Sequence, residues 1–204
     1  MHGRLKVRTT EEERERKKKE QLLKVKAYKA AIAKIYAKRL QNEYDKEMLL
    51  LTSQILMRNP DHLTLWGVRK QCVLVRVEDI LKTVPEPQPE GGEVKSQNDL
   101  LQSLYDSELT FSEQCLRTNP KSYGAWHHRC WSLENCPSAD WEREVKLCTT
   151  YLQMDERNFH TWDYRRYVVE RAQRPPEQEL DFCTEKIKTN FSNYYRVVVN
   201  IFWL

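Results

Sequence analysis

The stretch Asn119-Pro-Lys-Ser-Tyr-Gly-Ala-Trp126-His-His-Arg129 has two counterparts in the same chain, Asn59-Pro-Asp-His-Leu-Thr-Leu-Trp66-Gly-Val-Arg69 and Asp155-Glu-Arg-Asn-Phe-His-Thr-Trp162-Asp-Tyr-Arg165. A Trp-x-x-Arg that returns behind the same upstream turn is an internal repeat, and such a repeat decides the architecture before any local reading does. Ten residues before each Trp stand Leu56, Leu116 and Leu152; fifteen before stand Leu51, Phe111 and Leu147; three before stand Leu63, Tyr123 and Phe159. This spacing predicts one unit made of an amphipathic helix, a short turn and a second helix. A fourth copy begins with Phe182, Ile187, Asn190 and Tyr194, phased for a Trp at 197 and an Arg at 200, where the chain has Val197 and Asn200.

Outward from the repeats, the rest of the 204 residues agrees. The chain is 40% hydrophobic and 31% charged, with only five glycines, and it shows no sustained period-2 alternation, which argues for an all-α fold and against an all-β one. The expected architecture is a superhelical array of antiparallel helical hairpins, an α–α superhelix. No apolar run approaches the ~20 residues needed to span a bilayer, and the charged N-terminus lacks the apolar stretch of a secretory signal. A soluble, cytoplasmic protein is expected. The six cysteines form no Cys-x-x-Cys pair and sit at helical positions among apolar neighbours, as reduced core cysteines do.

The formal net charge of +4 is too small to argue for a nucleic-acid partner, yet it is uneven: residues 1–40 carry 14 Lys+Arg against 5 Glu. Thr9 or Thr10 followed by Glu12 or Glu13 reads as a helix start, and Leu22, Val25, Tyr28, Ile32, Ile35 and Tyr36 recur at helical spacing, so a first helix is expected over about 10–40. Its charged first turns are expected to fray or to pack on another chain. The organisation is then a basic helical segment 1–42, repeats over 43–194 (about 45–84, 98–135, 138–172 and a partial 177–194), a Pro- and Gly-rich loop 85–97, and a divergent tail 195–204. Asn59-Pro60 and Asn119-Pro120 read as stop signals in which Asn tolerates a left-handed turn, and the third unit, with Asp155-Glu156, is expected to turn less sharply.

Trp66 and Arg69, Trp126 and Arg129, and Trp162 and Arg165 are three apart and share a helix face. There the ring fills space between hairpins while the Arg stacks or caps carbonyls at a helix end, which is scaffold chemistry. The turns carry more. Lys121, Ser122 and Tyr123 precede one helix N-terminus, Asn158, Phe159 and His160 the next, so stacked hairpins line them along one edge as an anion-binding rim. The adjacent His127 and His128 diverge on a helix and cannot chelate zinc together. No phosphate loop, nucleophile elbow or paired carboxylates are present, so no metal ligand set and no self-sufficient catalytic machinery are expected.

The Asn-Pro-x-x-Tyr-x-x-Trp-x-x-Arg form of repeat two resembles the repeat of protein prenyltransferase α subunits, and the opening Met1-His-Gly-Arg-Leu-Lys-Val-Arg-Thr-Thr10 resembles the Rab (type II) geranylgeranyltransferase branch of that family. The resemblance implies an αβ heterodimer in which the β subunit holds the zinc and most of the isoprenoid pocket, and this chain holds no cofactor of its own. It implies transfer of geranylgeranyl from geranylgeranyl diphosphate to C-terminal cysteines of Rab proteins presented with an escort protein. It places Lys121 at the diphosphate, where its charge stabilises the leaving group, and Tyr123, Asn158 and His160 at the substrate cleft. It also implies further hairpins after Tyr194, so the chain reads as truncated, and a catalytically silent helical-repeat adaptor is the competing expectation.

Overall fold

The computed structural model describes residues 10–83 and 96–190, and among these it contains eight helices: α1 (Glu11–Leu40), α2 (Lys46–Leu56), α3 (Leu63–Thr83), α4 (Gln97–Thr118), α5 (Tyr123–Asn135), α6 (Trp141–Met154), α7 (Phe159–Arg171) and α8 (Pro176–Thr189). The chain is all-α, and α2–α3, α4–α5 and α6–α7 pack as three successive hairpins. The second helices α3, α5 and α7 lie side by side and join one hairpin to the next. Most of the expected loop, and everything after Asn190 including Tyr194, Val197 and the tail, lies outside the described residues. Gln97, at the edge of that loop, instead opens α4, because Ser96 and Asp99 form a reciprocal capping box.

The Arg of each unit shows how hairpins are keyed together. Arg69 donates through Nε and Nη2 to both oxygens of Glu108 at 2.6 and 2.8 Å; Arg129 does the same to Glu144 at 2.6 and 2.7 Å, and Arg165 to Glu179 at 2.6 and 2.7 Å. Each Glu belongs to the first helix of the following unit, and all three pairs are almost fully buried. The third nitrogen, Nη1, turns back to the first helix of its own unit. It reaches Leu49 O (3.2 Å) and Ser53 Oγ (2.7 Å) from Arg69, and Leu109 O (2.7 Å) and Ser112 Oγ (3.2 Å) from Arg129. Those carbonyls lie inside helices rather than at their ends, which corrects the end-capping expectation. The guanidinium faces stack as expected, Arg69 over Phe111 at 3.7 Å and Arg165 over Phe182 at 3.6 Å.

Glu108 and Glu144 stand eighteen residues before Trp126 and Trp162, and Glu179 stands eighteen before position 197. The corresponding residue of the first unit is Met48, fully buried. A buried carboxylate without a cation would be costly there, and an apolar side chain is what the site tolerates. A further donor completes two of the carboxylates: His128 Nε2 at 2.8 Å from Glu108, and the Tyr164 hydroxyl at 2.6 Å from Glu144.

Each Trp closes its own turn and packs on the next unit. The indoles of Trp66, Trp126 and Trp162 donate to Pro60 O, Pro120 O and Glu156 O at 2.8, 2.9 and 2.8 Å. Trp66 meets the His128 ring at 4.7 Å and Trp126 meets Tyr164 at 4.7 Å. Gly124 is needed for this approach: a Cβ there would come within 2.4 Å of Trp66 Cδ1, and that ring is pinned by its own hydrogen bond. Gly124→Ala is therefore expected to lower unfolding free energy by about 1–3 kcal/mol in denaturant titration. Gly67→Ala, where a Cβ meets nothing within 4 Å, is expected to be neutral or stabilising.

The first helix meets its expected span, with the Thr10 side chain accepting from Glu13 N. It is attached to the body only near its end. Ile35 is buried, Ala31 and Ile32 pack partly, and Lys34 and Lys38 pair with Glu47 and Asp45 at the start of α2. Leu22 and Leu23 remain 71% and 67% exposed, so the apolar spacing of the first half of α1 does not mark core here.

Candidate functional site

The turns between the paired helices share one backbone. Asn119 has φ −141° and ψ 96°, and Asp155 has φ −143° and ψ 94°. Neither is left-handed; among the described residues only Asn42 and Gln173 have positive φ outside glycine. The residue before proline is pushed to extended backbone, and the side-chain oxygen then does the turning by accepting an amide two residues on: Asp61 N to Asn59 Oδ1 (3.3 Å), Lys121 N to Asn119 Oδ1 (3.0 Å), Arg157 N to Asp155 Oδ1 (3.0 Å). Asp serves as well as Asn, so the third unit turns as sharply as the second, contrary to expectation.

Adjacent turns are tied by side chains at matching positions. Asn119 Nδ2 donates to Asp61 Oδ2 at 2.9 Å, and one unit later Lys121 Nζ lies 3.3 Å from Asp155 Oδ2. Lys121 stays 60% exposed at its side chain. Beside it Tyr123, 65% exposed, stands edge-on to the His160 ring at 4.2 Å. His160 is buried, and burial, aided by the Lys121 charge and opposed by Asp163 and Asp61, holds its imidazole below the ordinary 6.5. Lys121, Tyr123 and His160 thus form one continuous rim of a cation, a phenol and a neutral imidazole. Asn158 lies beneath it, 1% exposed: its Oδ1 accepts from His160 N at 3.1 Å and its Nδ2 donates to Pro120 O at 2.9 Å. Trp66, Arg69, Trp126, Arg129, Trp162 and Arg165 are all buried in the scaffold behind.

Sequence reading missed the three carboxylates and His128. The recurrence of Glu eighteen residues before positions 126, 162 and 197 was available as a signal, but Met48 interrupts it in the first unit. His128 is fully buried against Glu108, and its Nδ1 has no partner. Burial pushes its pKa down against the opposing pull of Glu108. Burial pushes Glu108 up, but the His128 hydrogen bond and the Arg69 charge outweigh it and keep the carboxyl below its ordinary 4.5. Both shifts have the same sign: folded protein binds fewer protons than unfolded protein, so stability is complete above 6.5 and is lost as pH falls through that value. Unfolding free energy is expected to drop by at most about 1.4 kcal/mol per pH unit per proton there, and His128→Tyr, copying the Tyr164 of the next joint, should flatten the profile in that window.

Among the described residues no three His, Cys, Asp or Glu groups gather as a metal site, and no helix is long and apolar enough to cross a membrane. All six cysteines are free thiols, and burial raises the pKa of each, Cys72 up to about 11 and Cys115 up to about 12.

The hairpins and their keyed joints define a helical-repeat protein of the α–α superhelical class, with its exposed polar chemistry at the turns between helices. Residues 105–136 and 141–172 match the protein prenyltransferase alpha subunit repeat, so the chain carries two copies of that family's repeat. It is 48% identical to the geranylgeranyl transferase type-2 subunit alpha of Bos taurus over 194 residues, 95% of this chain and 31% of the relative. The subunit of the same name from Homo sapiens is 47% identical over the same length, and that of Dictyostelium discoideum 35% identical over 174 residues, 51% of the relative. The chain thus spans about a third of its mammalian relatives.

Proposed function

We propose that this chain is the hairpin-repeat part of the α subunit of a heterodimeric type-2 geranylgeranyltransferase, which transfers geranylgeranyl from its diphosphate to C-terminal cysteines of Rab proteins presented by an escort protein in the cytoplasm. The observation that carries it is the rim: the exposed Lys121 and Tyr123 of one hairpin stand over the buried His160 ring of the next, Tyr123 edge-on to it at 4.2 Å. Lys121 offers a cation to the departing diphosphate, and its carboxylate neighbour Asp155 holds the ammonium ready without burying it. His160, neutral and packed under Tyr123, supplies a hydrogen-bonding group that does not compete for the anion. In this reading the β subunit completes the cleft and holds a zinc ion, which when bound lowers the pKa of the acceptor thiol. Among the described residues of this chain no three His, Cys, Asp or Glu side chains gather to hold that ion.

The test is reconstitution with a matching β subunit and labelled geranylgeranyl transfer. An exposed ion pair contributes only about 0–1 kcal/mol to folding, so Lys121→Ala should fold normally. It should lower kcat by about 100-fold, the scale of losing one transition-state charge partner. Activity unchanged in Lys121→Ala, with a 1:1 complex on size-exclusion chromatography, would sink the leaving-group role. Failure to form that complex would favour the adaptor.

A further inference from the structure

We infer that Asn158 is a positioning residue for Lys121: it touches no substrate, and acts by fixing the Pro120–Lys121 peptide to the N-terminus of α7. This rests on the function proposed above. Both ends of its amide are spent inside the protein, Oδ1 on His160 N–H and Nδ2 on Pro120 O, and the side chain is almost fully buried. Pro120 O also accepts from the Trp126 indole, and the Lys121 amide is held from the other side by Asn119 Oδ1. The peptide that carries Lys121 is thus gripped on both faces, and one of the two donors to its carbonyl comes from the unit that supplies His160. One amide group therefore sets the distance between the cation of one hairpin and the imidazole of the next.

The preceding joint shows that this is a device and not an accident of packing. There Ser122, at the matching position, donates Oγ to Pro60 O at 2.8 Å while accepting from Ala125 N. Joint one uses a hydroxyl where joint two uses an amide. The two functions of the side chain can accordingly be separated. Aspartate keeps an acceptor for His160 N–H and so keeps the cap on α7, but it has no proton for Pro120 O. Serine retains both, as Ser122 does.

The experiment is a double-mutant cycle in the reconstituted αβ complex, reading geranylgeranyl transfer. Asn158→Asp should lower kcat by about 10-fold, the cost of a small misplacement, with KM within about threefold and thermal unfolding close to the parent. Asn158→Ser should restore at least half the activity. In a Lys121→Ala background Asn158→Asp should change kcat by less than about twofold, because its effect runs through the absent lysine. An equal fall in both backgrounds overturns the inference, as does serine failing as badly as aspartate. If Asn158→Asp does not fold, serine against alanine decides: serine active and alanine impaired supports the clamp, and equal activity refutes it. Lys121→Ala at full activity sinks the leaving-group reading itself, and this inference with it; an additive cycle with Lys121→Ala impaired sinks only the role of Asn158.

Discussion

Replacing Arg129 by Met is expected to cost about 3–5 kcal/mol of unfolding free energy, the range seen when one partner of a buried ion pair is removed. The mutation strands Glu144, 1% exposed, with only the Tyr164 hydroxyl for company, and leaves Leu109 O and Ser112 Oγ without the donor they now receive. Against a total stability of about 5–15 kcal/mol this is a large fraction. The pair itself contributes far less than its breakage costs, since desolvating both charges offsets most of their attraction. The triple variant Arg129→Met, Glu144→Leu, Tyr164→Phe removes charge and hydroxyl together and should recover most of the loss. Denaturant unfolding of the single, double and triple variants measures this; a loss below about 1 kcal/mol for Arg129→Met would show that the joint is not keyed by charge.

Truncating Trp126 to Ala is expected to cost about 3–5 kcal/mol, for a different reason. The ring is 5% exposed and fills the joint between units two and three, tilted on Tyr164 at 4.7 Å and edge-on to Tyr151 at 5.6 Å. Its removal opens a cavity that two other rings line. The lost hydrogen bond adds little, because Pro120 O keeps the Asn158 amide as a donor. Trp126→Phe, which keeps an aromatic ring but loses the indole N–H and part of the ring volume, should therefore cost less, about 1–2 kcal/mol. Comparable losses for Ala and Phe would reverse that ranking of packing over hydrogen bonding.

The repeat was legible because its largest residue, Trp, recurs with fixed neighbours, and the helices follow from that phase alone. The turns were misread where two local rules compete: Asn is tolerant of left-handed backbone, but Pro60 and Pro120 push the preceding residue to extended geometry, and the second rule wins at Asn119. Asp155 follows the same path without proline because the turn is made by a side-chain oxygen, which Asn and Asp share. In the site, the residue types that stand on the rim were readable, but not their depth. Lys121 and Asn158 are both polar turn residues in the sequence; three dimensions put one 60% exposed and the other at 1%. Depth is set by the next hairpin, which no single turn contains. The exposed apolar residues of α1 show the converse, since helical spacing marks a face without saying what covers it.

The three buried Arg–Glu pairs run in one direction only, from the second helix of a unit to the first helix of its successor, and this gives the array a grammar. Copying the second unit into the middle of the chain would present Arg129 to a new Glu108 and leave every buried charge matched. Placing the same copy ahead of the first unit would aim a buried guanidinium at Met48, and the join would fail. Order among these modules is thus written in their own side chains.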